Sequence, residues 1–171
     1  MFVGINPSLY SVAQGHYFAR RANRFWPCFS RSVLSRGARQ RLGVANLEPR
    51  HDGDLLRYGF GFTDVVKRAT RRAGDLAPGE LTAGAATLKE KVERYRPRIA
   101  CFHGITAYRQ FHRALSLDDA EPRLGPQPHG FGPTRLYLVP NPSPANAHFT
   151  AADQTGWYDR LAAWLSSDSC R

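Results

Sequence analysis

Two asparagines, each followed by proline and serine, stand after short apolar runs near opposite ends of the chain. Asn6 follows residues 1–5, and Asn141 follows residues 136–140. Each apolar run is typical of a strand, and open parallel sheets bind ligands beyond the carboxyl ends of their strands. A carboxamide there can hold a water molecule or hydrogen-bond the edge of a nucleobase. We therefore expect both asparagines to face one pocket, with an Asx-turn at each strand end as the structural alternative.

A single carboxylate, Asp64, lies within the apolar segment 62–66. An acidic residue among apolar strand residues must be paired, hydrogen-bonded or functional. If it ends at the same rim as Asn6, it is well placed to polarise a water molecule. The alternative is a helix N-cap for the segment that follows.

Two loops near these strand ends suit contact with a flat ligand. In residues 15–18, Phe18 offers a ring face whose stacking on a nucleobase is worth about 1–3 kcal/mol. The alternative for Phe18 is an aromatic plug for the core. Residues 141–148 form a small-residue loop stiffened by proline. Such a loop suits insertion into the minor groove beside an extruded base, or it is an ordinary connection between a strand and a helix.

Other polar side chains give weaker signals. Residues 51–54 read His-Asp-Gly-Asp, but their turn-rich setting predicts a solvated turn and no metal site. His16 is likewise expected in solvent. The three cysteines lack metal-ligand or redox spacing, which favours a reduced, cytoplasmic setting.

The charge balance favours a polyanionic partner. Lysine and arginine number 24 against 14 acidic residues, a formal net charge of +10. Nucleic acid is the usual partner of such a surplus, although a G+C-rich genome also enriches arginine. Basic runs at residues 20–24 and 67–72 flank the proposed pocket and suit phosphate contacts. No segment predicts a transmembrane span or a signal peptide, so we expect no membrane partner.

Strands that alternate with helices predict an α/β fold with a parallel sheet covered on both faces. The predicted strands are residues 1–5, 62–66, 99–102 and 136–140. The predicted helices are residues 23–36, 82–95, 105–115 and 150–165. The predicted loops and turn-rich segments are residues 9–21, 37–54, 75–81 and 118–134.

Seven blocks along the chain resemble the motifs of the mismatch-specific uracil-DNA glycosylases related to thymine-DNA glycosylase, within the uracil-DNA glycosylase superfamily. They are residues 4–7, 15–18, 23–26, 61–70, 80–84, 107–108 and 139–143. The resemblance implies a single domain over residues 1–171, with a three-layer α/β/α fold and a central four-stranded parallel sheet. It implies a monofunctional enzyme of base excision repair that acts on double-stranded DNA containing a damaged or mismatched base. That enzyme flips out uracil, from mismatches such as G·U, and hydrolyses its N-glycosidic bond without a metal or other cofactor. We expect a cytoplasmic, nucleoid-associated monomer.

The same resemblance implies a role for each matching residue. Asn6 matches the residue that positions the hydrolytic water, and Asp64 is the second catalytic candidate on the physical argument above. Phe18 matches the aromatic that stacks on the flipped base, and Ile5 and Asn141 complete the base-binding set. The residues after Asn141 match the wedge that enters the DNA helix, namely Ser143, Pro144, Ala145 and Asn146.

Three positions depart from the family pattern. Ser8 stands where glycine is frequent, and its side chain is expected either to narrow the pocket or to add a hydroxyl to it. Pro144 and Ala145 replace a glycine and a bulky residue, which predicts a weaker plug and weaker recognition of an opposing guanine. Residues 103–105 read His-Gly-Ile in place of Leu-Gly-Lys, which removes one expected phosphate contact.

Two other classes of protein fit parts of the pattern. A non-catalytic DNA-binding protein explains the charge, but it has no need of a buried carboxylate and two facing amides. An α/β enzyme acting on a free nucleoside or nucleotide can use the same crevice. It would lack a phosphate loop of the usual spacing, because the glycines at 59 and 61 form too short a motif.

Overall fold

A five-stranded sheet forms the centre of the computed structural model, which describes residues 1–77, 79–116 and 121–168. Its strands are Phe2–Gly4 (β1), Phe62–Asp64 (β2), Ile99–His103 (β3), Gly125–Phe131 (β4) and Thr134–Val139 (β5). Their order is β2-β1-β3-β5-β4, in which the first four are parallel and β4 is antiparallel to β5. The four predicted strands and their parallel arrangement are confirmed.

Strand β4 occupies a segment for which the sequence predicts a loop over residues 118–134. Proline cannot donate to a sheet ladder and is confined to edges and bulges. Both conditions hold here, because β4 is the edge strand and its pairing with β5 shifts register between Pro126 and Gly130. The prediction of a loop is therefore wrong for β4, while residues 118–120 lie outside the described part of the chain.

Helices cover both faces of this sheet. They are Leu9–Gln14 (α1), Phe25–Arg31 (α2), Arg36–Leu42 (α3), Glu80–Tyr95 (α4), Ile105–Ala114 (α5) and Ala151–Asp168 (α6). The helix predicted over residues 23–36 is interrupted, because Ser32 is extended (ψ 154°) between α2 and a short 3₁₀ turn, Val33–Ser35, that leads into α3. The predicted turn-rich segment 37–54 correspondingly contains most of α3. Within the described residues, no helix is both long and apolar enough to cross a membrane.

Helix α1 is also absent from the prediction, which has a loop over residues 9–21. Ser8 caps its first turn by accepting a hydrogen bond from Ser11 N (3.1 Å), and Gly15 at φ +73° ends it. Three large apolar residues of this short helix are at least half exposed, namely Leu9 (52%), Tyr10 (50%) and Val12 (57%). Because these apolar side chains face outward, the segment lacks the amphipathic pattern from which a helix is predicted.

Alternate residues of each central strand enter two separate hydrophobic cores. On one face, Phe2 of β1, Cys101 of β3 and Tyr137 of β5 pack with α2, α3 and α6. On the other face, Val3 and Phe102 pack with α4 and α5, together with Leu136 and Leu138. This period of two, with apolar residues at every position, is the pattern of a sheet buried on both sides. The structure thus confirms the three-layer α/β/α fold.

The parallel register brings the functional segments to one end of the sheet. Gly4 pairs with Asp64 between β1 and β2, and His103 pairs with Val139 between β3 and β5. The residues that follow these pairs therefore leave the sheet at one edge. This edge carries the two Asn-Pro turns, as the sequence predicts.

Candidate active site

An open cavity of about 1260 Å³ lies beyond the carboxyl ends of the parallel strands. All the catalytic, base-binding and wedge residues named from the sequence line it. They are Ile5, Asn6, Phe18, Asp64, Asn141, Ser143, Pro144, Ala145 and Asn146. The cavity is therefore built from segments near both ends of the chain, from Gly4 to Phe149.

The carboxamide of Asn6 is oriented by hydrogen bonds from its nitrogen. Nδ2 donates to Thr70 Oγ1 (2.7 Å) and to the Arg68 carbonyl (3.0 Å). Thr70 is brought there by a bridge between Ser8 and Thr70, and its hydroxyl donates to the Arg72 carbonyl (2.6 Å). An Asx-turn requires Oδ1 to accept from the main chain, whereas this geometry anchors the amide through nitrogen. Oδ1 is the atom left to accept a hydrogen bond from water.

The second carboxamide, Asn141, is oriented in the opposite sense. Its Oδ1 accepts a hydrogen bond from Ser143 N (2.9 Å), which is the Asx-turn that the sequence offers as the structural alternative. Nδ2 is therefore the atom of this amide that is left to donate, on a residue that lines the cavity. Gly104, at φ +96°, lets the chain pass close by, because a Cβ there would lie 3.0 Å from Asn141 Cβ.

The Asp64 carboxyl is buried, with only 5% of the residue exposed. A Cβ at position 4 would overlap Oδ1, so Gly4 makes room for this carboxyl beside β1. Burial raises the pKa of Asp64 to about 6, and the opposing attraction of Lys67 and Lys91 is smaller. Asp64 is the last residue of β2 and the next residues form no helix, so the N-cap alternative is wrong.

Lys67 places a positive charge beside this carboxyl. Its Nζ donates to Thr63 Oγ1 (2.9 Å) and Tyr17 Oη (3.3 Å), and it lies 5.5 Å from the centre of the Tyr17 ring. Burial lowers the pKa of Lys67, while Asp64 acts in the opposite direction. Lys67 is not among the site residues predicted from the sequence, where it belongs to the basic run 67–72. Its position within the block 61–70 is the signal that points to the site.

Phe18 both packs on the core and borders the cavity. Its ring stacks on Phe25 with centroids 4.5 Å apart, and the His103 ring lies 5.2 Å away. Phe18 has φ +53°, a conformation that costs a non-glycine residue about 1 kcal/mol or more and that often marks a functional site. Burial lowers the pKa of His103 to about 3, so this neighbour is neutral, and its Nε2 lies 3.0 Å from the Tyr158 hydroxyl.

The loop that carries Phe18 is held by a distant carboxylate. Asp52 Oδ1 lies 3.0 Å from His16 Nδ1, and Oδ2 accepts from Tyr17 N (2.9 Å). His51 is buried and accepts a hydrogen bond from Glu48 N (2.9 Å). The prediction of a solvated turn over residues 51–54 is therefore wrong for His51 and Asp52, whereas His16 is paired but keeps 34% of its side chain exposed. The two contacts of Asp52 each span more than 30 residues, and no local pattern in the sequence signals them.

Arg24 holds the wedge loop, residues 143–146, through hydrogen bonds to main-chain carbonyls. The Arg24 guanidinium donates to the carbonyls of Ser143 (3.0 Å), Asn146 (2.6 Å) and Phe149, and Arg24 N donates to Pro142 O (3.0 Å). Arg24 belongs to the basic run 20–24, for which the sequence predicts phosphate contacts. This prediction is wrong for Arg24, because three carbonyls occupy its guanidinium.

The second basic run is also divided between internal pairs and exposed charges. Arg68 forms two hydrogen bonds with the Glu80 carboxylate, both at 2.7 Å. Arg71 of this run and Arg20 of the first run, by contrast, are exposed and line the cavity. The prediction of phosphate contacts therefore rests on these two arginines and their neighbour Arg72. Among the described residues, no group of three or more His, Cys, Asp or Glu side chains is placed to hold a metal ion.

The Arg24→Lys substitution is expected to loosen the wedge loop. Lysine keeps the charge but cannot direct donors to three carbonyls at once, and each unsatisfied carbonyl costs about 1–3 kcal/mol. We expect a lower melting temperature and at least tenfold lower kcat/KM on duplex substrate. Arg21→Lys, an exposed change in the same basic run, is the control. Equal behaviour of the two variants would contradict the clamp.

The raised pKa of Asp64 has a consequence for stability. Because each tenfold change in an equilibrium corresponds to about 1.4 kcal/mol, keeping Asp64 ionised costs the fold on the order of 2–3 kcal/mol above pH 6. A raised carboxyl pKa means that stability falls as pH rises from about 4 to about 6. Asp64→Asn should therefore melt roughly 5 °C higher than wild type at pH 8.

Thermal unfolding at pH 8 and below pH 4 tests this expectation. The difference should vanish below pH 4, where the wild-type carboxyl is protonated in both folded and unfolded states. Glu93→Gln, at an exposed position on α4, controls for loss of one negative charge. An Asp64→Asn protein that melts lower than wild type at pH 8 would show that the ionised carboxylate stabilises the fold.

The fold and the cavity define an α/β/α protein with a site suited to hydrolysis beside a planar ligand. The family model of the uracil DNA glycosylase superfamily matches residues 1–165. The chain belongs to this superfamily, and the resemblance seen in the sequence is confirmed at that level. Membership supports the reaction class of a DNA glycosylase, a hydrolase of DNA repair, with DNA as the partner.

Proposed function

We propose that this protein is a monofunctional uracil-DNA glycosylase of the mismatch-specific kind. It flips uracil out of DNA, from mismatches such as G·U, and hydrolyses the N-glycosidic bond to leave an abasic site for base excision repair. The observation that carries the proposal is the meeting of Asn6, Asp64 and Phe18 in one cavity. A water acceptor, a buried carboxylate and a ring face are the parts that hydrolysis beside a flat base requires.

We assign the positioning and activation of the attacking water to Asn6 and Asp64. Asn6 is neutral and cannot act as a base, but its oriented Oδ1 can hold a water molecule in line with C1′ of the sugar. Asp64 has a pKa of about 6 and is mostly ionised above pH 7. In this form it accepts a proton from the water or stabilises the positive charge that develops on the sugar.

We assign the binding of the base to Phe18, Asn141 and Ile5. Phe18 supplies the stacking surface, and Asn141 Nδ2 donates to a carbonyl oxygen of the base. Uracil leaves with negative charge, and donors that are already oriented toward that charge stabilise the transition state without reorganisation. The Asx-turn that holds Asn141 Oδ1 provides this fixed orientation.

The DNA is gripped by exposed arginines at the cavity mouth. Arg20→Gln and Arg71→Gln should each lower the slope of log K against log salt concentration by about 0.9 for duplex DNA, as expected for loss of one phosphate contact. Fluorescence anisotropy at several salt concentrations measures this slope. Arg57→Gln, an exposed change outside the cavity lining, should leave it unchanged. A slope unaffected by Arg20→Gln and Arg71→Gln would place the DNA elsewhere.

A strand-break assay tests the proposed function. Duplexes with one modified base each are incubated with the protein in EDTA, and half of each sample is then treated with alkali. We expect breaks only after alkali in the uracil duplex, together with an equal amount of free uracil. Breaks without alkali would contradict the monofunctional reaction.

The same assay separates the alternatives. A non-catalytic DNA-binding protein would retain the labelled duplex in a gel without producing alkali-labile sites. An enzyme of free nucleosides would release uracil from deoxyuridine but not from the duplex. The Asn6→Ala protein serves as the control for contaminating glycosylase, because it should still bind DNA.

A further inference from the structure

The end of the sheet opposite the cavity carries a dense positive charge that the proposed reaction does not use. It is formed by residues 94–98, which read Arg-Tyr-Arg-Pro-Arg, together with Arg135. We infer that this far basic surface binds the phosphate backbone of a second DNA duplex, so that one protein holds two DNA segments at once. Such binding requires only that DNA is the partner, whichever base the enzyme removes.

The far basic surface and the cavity lie at opposite ends of the same strands. Residues 94–98 lead from α4 to the amino end of β3, whereas the cavity lies beyond its carboxyl end. Arg135 is at the same end as residues 94–98, because it pairs with Ile99 and its N–H donates to Arg98 O (3.0 Å). The five residues of β3 separate the two ends by about 16 Å. One straight duplex therefore cannot contact both ends.

The protein's own carboxylates do not neutralise this charge. The three arginines of the segment are exposed, namely Arg94, Arg96 and Arg98. Within the described residues none of them forms a salt bridge, although Glu90 and Glu93 precede them on α4. Burial lowers the pKa of Arg135, and the like charge of Arg98 lowers it further. Cations held this close repel one another, and a phosphate bound between them relieves the repulsion.

Arg96 occupies a backbone position that favours glycine. It ends α4 in the left-handed region, at φ +43°, and its N–H donates to the Val92 carbonyl (2.9 Å). Glycine is the usual residue at such a helix end, because a side chain is strained there. The helix dipole favours a cation in the last turn, where Arg94 lies, but its effect fades beyond the helix, where Arg98 lies. An arginine at the strained position points to a use for its charge outside the fold.

The side chains of this surface suit phosphates better than unpaired bases. Tyr95 is 66% exposed, but the Arg94 guanidinium lies over its ring, 5.4 Å from the centroid. Single-stranded nucleic acid is bound through free ring faces on which bases stack, whereas a duplex presents its phosphates to arginine side chains. The ring instead holds Arg94 at the surface. Duplex DNA is therefore the partner that the surface fits.

Two DNA contacts on one protein have a consequence for the search along DNA. A protein bound at one surface meets a second segment at a high effective concentration, because the second contact is then made within the complex. It can pass to that segment before it leaves the first. The far basic surface would thus speed transfer between segments without any part in the chemistry at the cavity.

A capture experiment tests the inference. A short undamaged duplex is fixed to beads, loaded with the protein at low salt and washed, and a fluorescent undamaged duplex is then added. Wild type should retain the fluorescent duplex. The triple variant Arg94→Gln, Arg96→Gln, Arg98→Gln should load equally but capture at least about tenfold less, as expected for the loss of several phosphate contacts. Its single-turnover excision from a uracil duplex should match wild type.

A second triple variant controls for the loss of charge. It replaces three exposed arginines of α2 and α3 outside the cavity lining, through Arg31→Gln, Arg36→Gln and Arg41→Gln, and should capture like wild type. Equal capture by wild type and the first triple variant would overturn the inference, since a protein dimer or another surface would then join the duplexes. An equal loss in both triple variants would overturn it too, because net charge alone would explain capture.

Two further outcomes are informative. Stronger capture of an RNA duplex of the same length than of DNA would assign the surface to RNA and overturn the inference. Failure of wild type to excise uracil, with capture intact, would overturn the proposed function and leave the far basic surface supported. The two failures are therefore distinguishable.

Arg96→Gly separates the surface from the fold. Glycine relieves the strained backbone, so the melting temperature should equal that of wild type or exceed it by up to about 4 °C. Capture of the fluorescent duplex should nevertheless fall by about threefold or more, since one phosphate contact is lost. Capture equal to wild type in an Arg96→Gly protein that melts no lower would overturn the inference.

Discussion

The Asn6→Ala protein is expected to release uracil about 10²- to 10⁴-fold more slowly than wild type in single turnover, the range seen when a positioned group that assists proton transfer is lost. Affinity for the uracil duplex should change little, because the role proposed for Asn6 is to hold the attacking water and not to contact the phosphates. The loss should appear in kcat and not in KM. Rapid-quench excision and anisotropy on the same duplex separate the two quantities.

Two further substitutions identify the atom responsible. Thr70→Val removes the side-chain oxygen that accepts from Asn6 Nδ2 and should produce a smaller loss of the same kind, because the amide is then held only by its bonds to main-chain carbonyls. Asn46→Ala, an exposed asparagine outside the cavity lining, should match wild type. Unchanged excision by Asn6→Ala would remove Asn6 from the mechanism.

The Asp64→Asn protein should lose about 10²–10³-fold in excision rate at pH 8, because a neutral amide can neither accept the proton of water nor face a sugar cation. The pKa of about 6 also predicts the pH profile. Below pH 6 the wild-type carboxyl is increasingly protonated, so its rate should fall about tenfold per pH unit and level off above pH 7. The profile of Asp64→Asn should be flat over the same range.

The difference between wild type and Asp64→Asn should therefore be largest above pH 7 and should shrink toward pH 5. Asp54→Asn, an exposed carboxylate, should keep the wild-type profile. A wild-type rate that rises as pH falls would assign the protonated acid, and hence proton donation to the base, to Asp64. Identical rates and profiles for wild type and Asp64→Asn would make this residue structural.

The predicted opposite effects of Asp64→Asn on activity and stability have one cause. The carboxylate is held at the end of β2 where burial disfavours its charge. An ionised carboxylate in this buried position lowers the stability of the fold. Because water screens it little, it also interacts strongly with a positive charge that develops beside it.

Much of the fold is predictable because its signals are local. Continuous apolar runs at β1, β3 and β5 give a buried parallel sheet, and the Asn-Pro pairs after two of them locate the rim. Two elements were missed where local signals are weak. Helix α1 turns its apolar side chains outward, and β4 is rich in glycine and proline, which are tolerated only because the strand is an edge.

By itself, the sequence determined the class of fold, the superfamily and the residues that line the cavity. The reason is that strand ends and motif blocks each consist of a few consecutive residues. Only the tertiary structure decided how those residues are used. Thr70 sets which atom of Asn6 is free, Arg24 clamps the wedge loop instead of binding phosphate, and Asp52 anchors the loop of Phe18. Each of these contacts joins segments more than 30 residues apart, and hydrogen bonds over such distances arise only when packing brings the segments together.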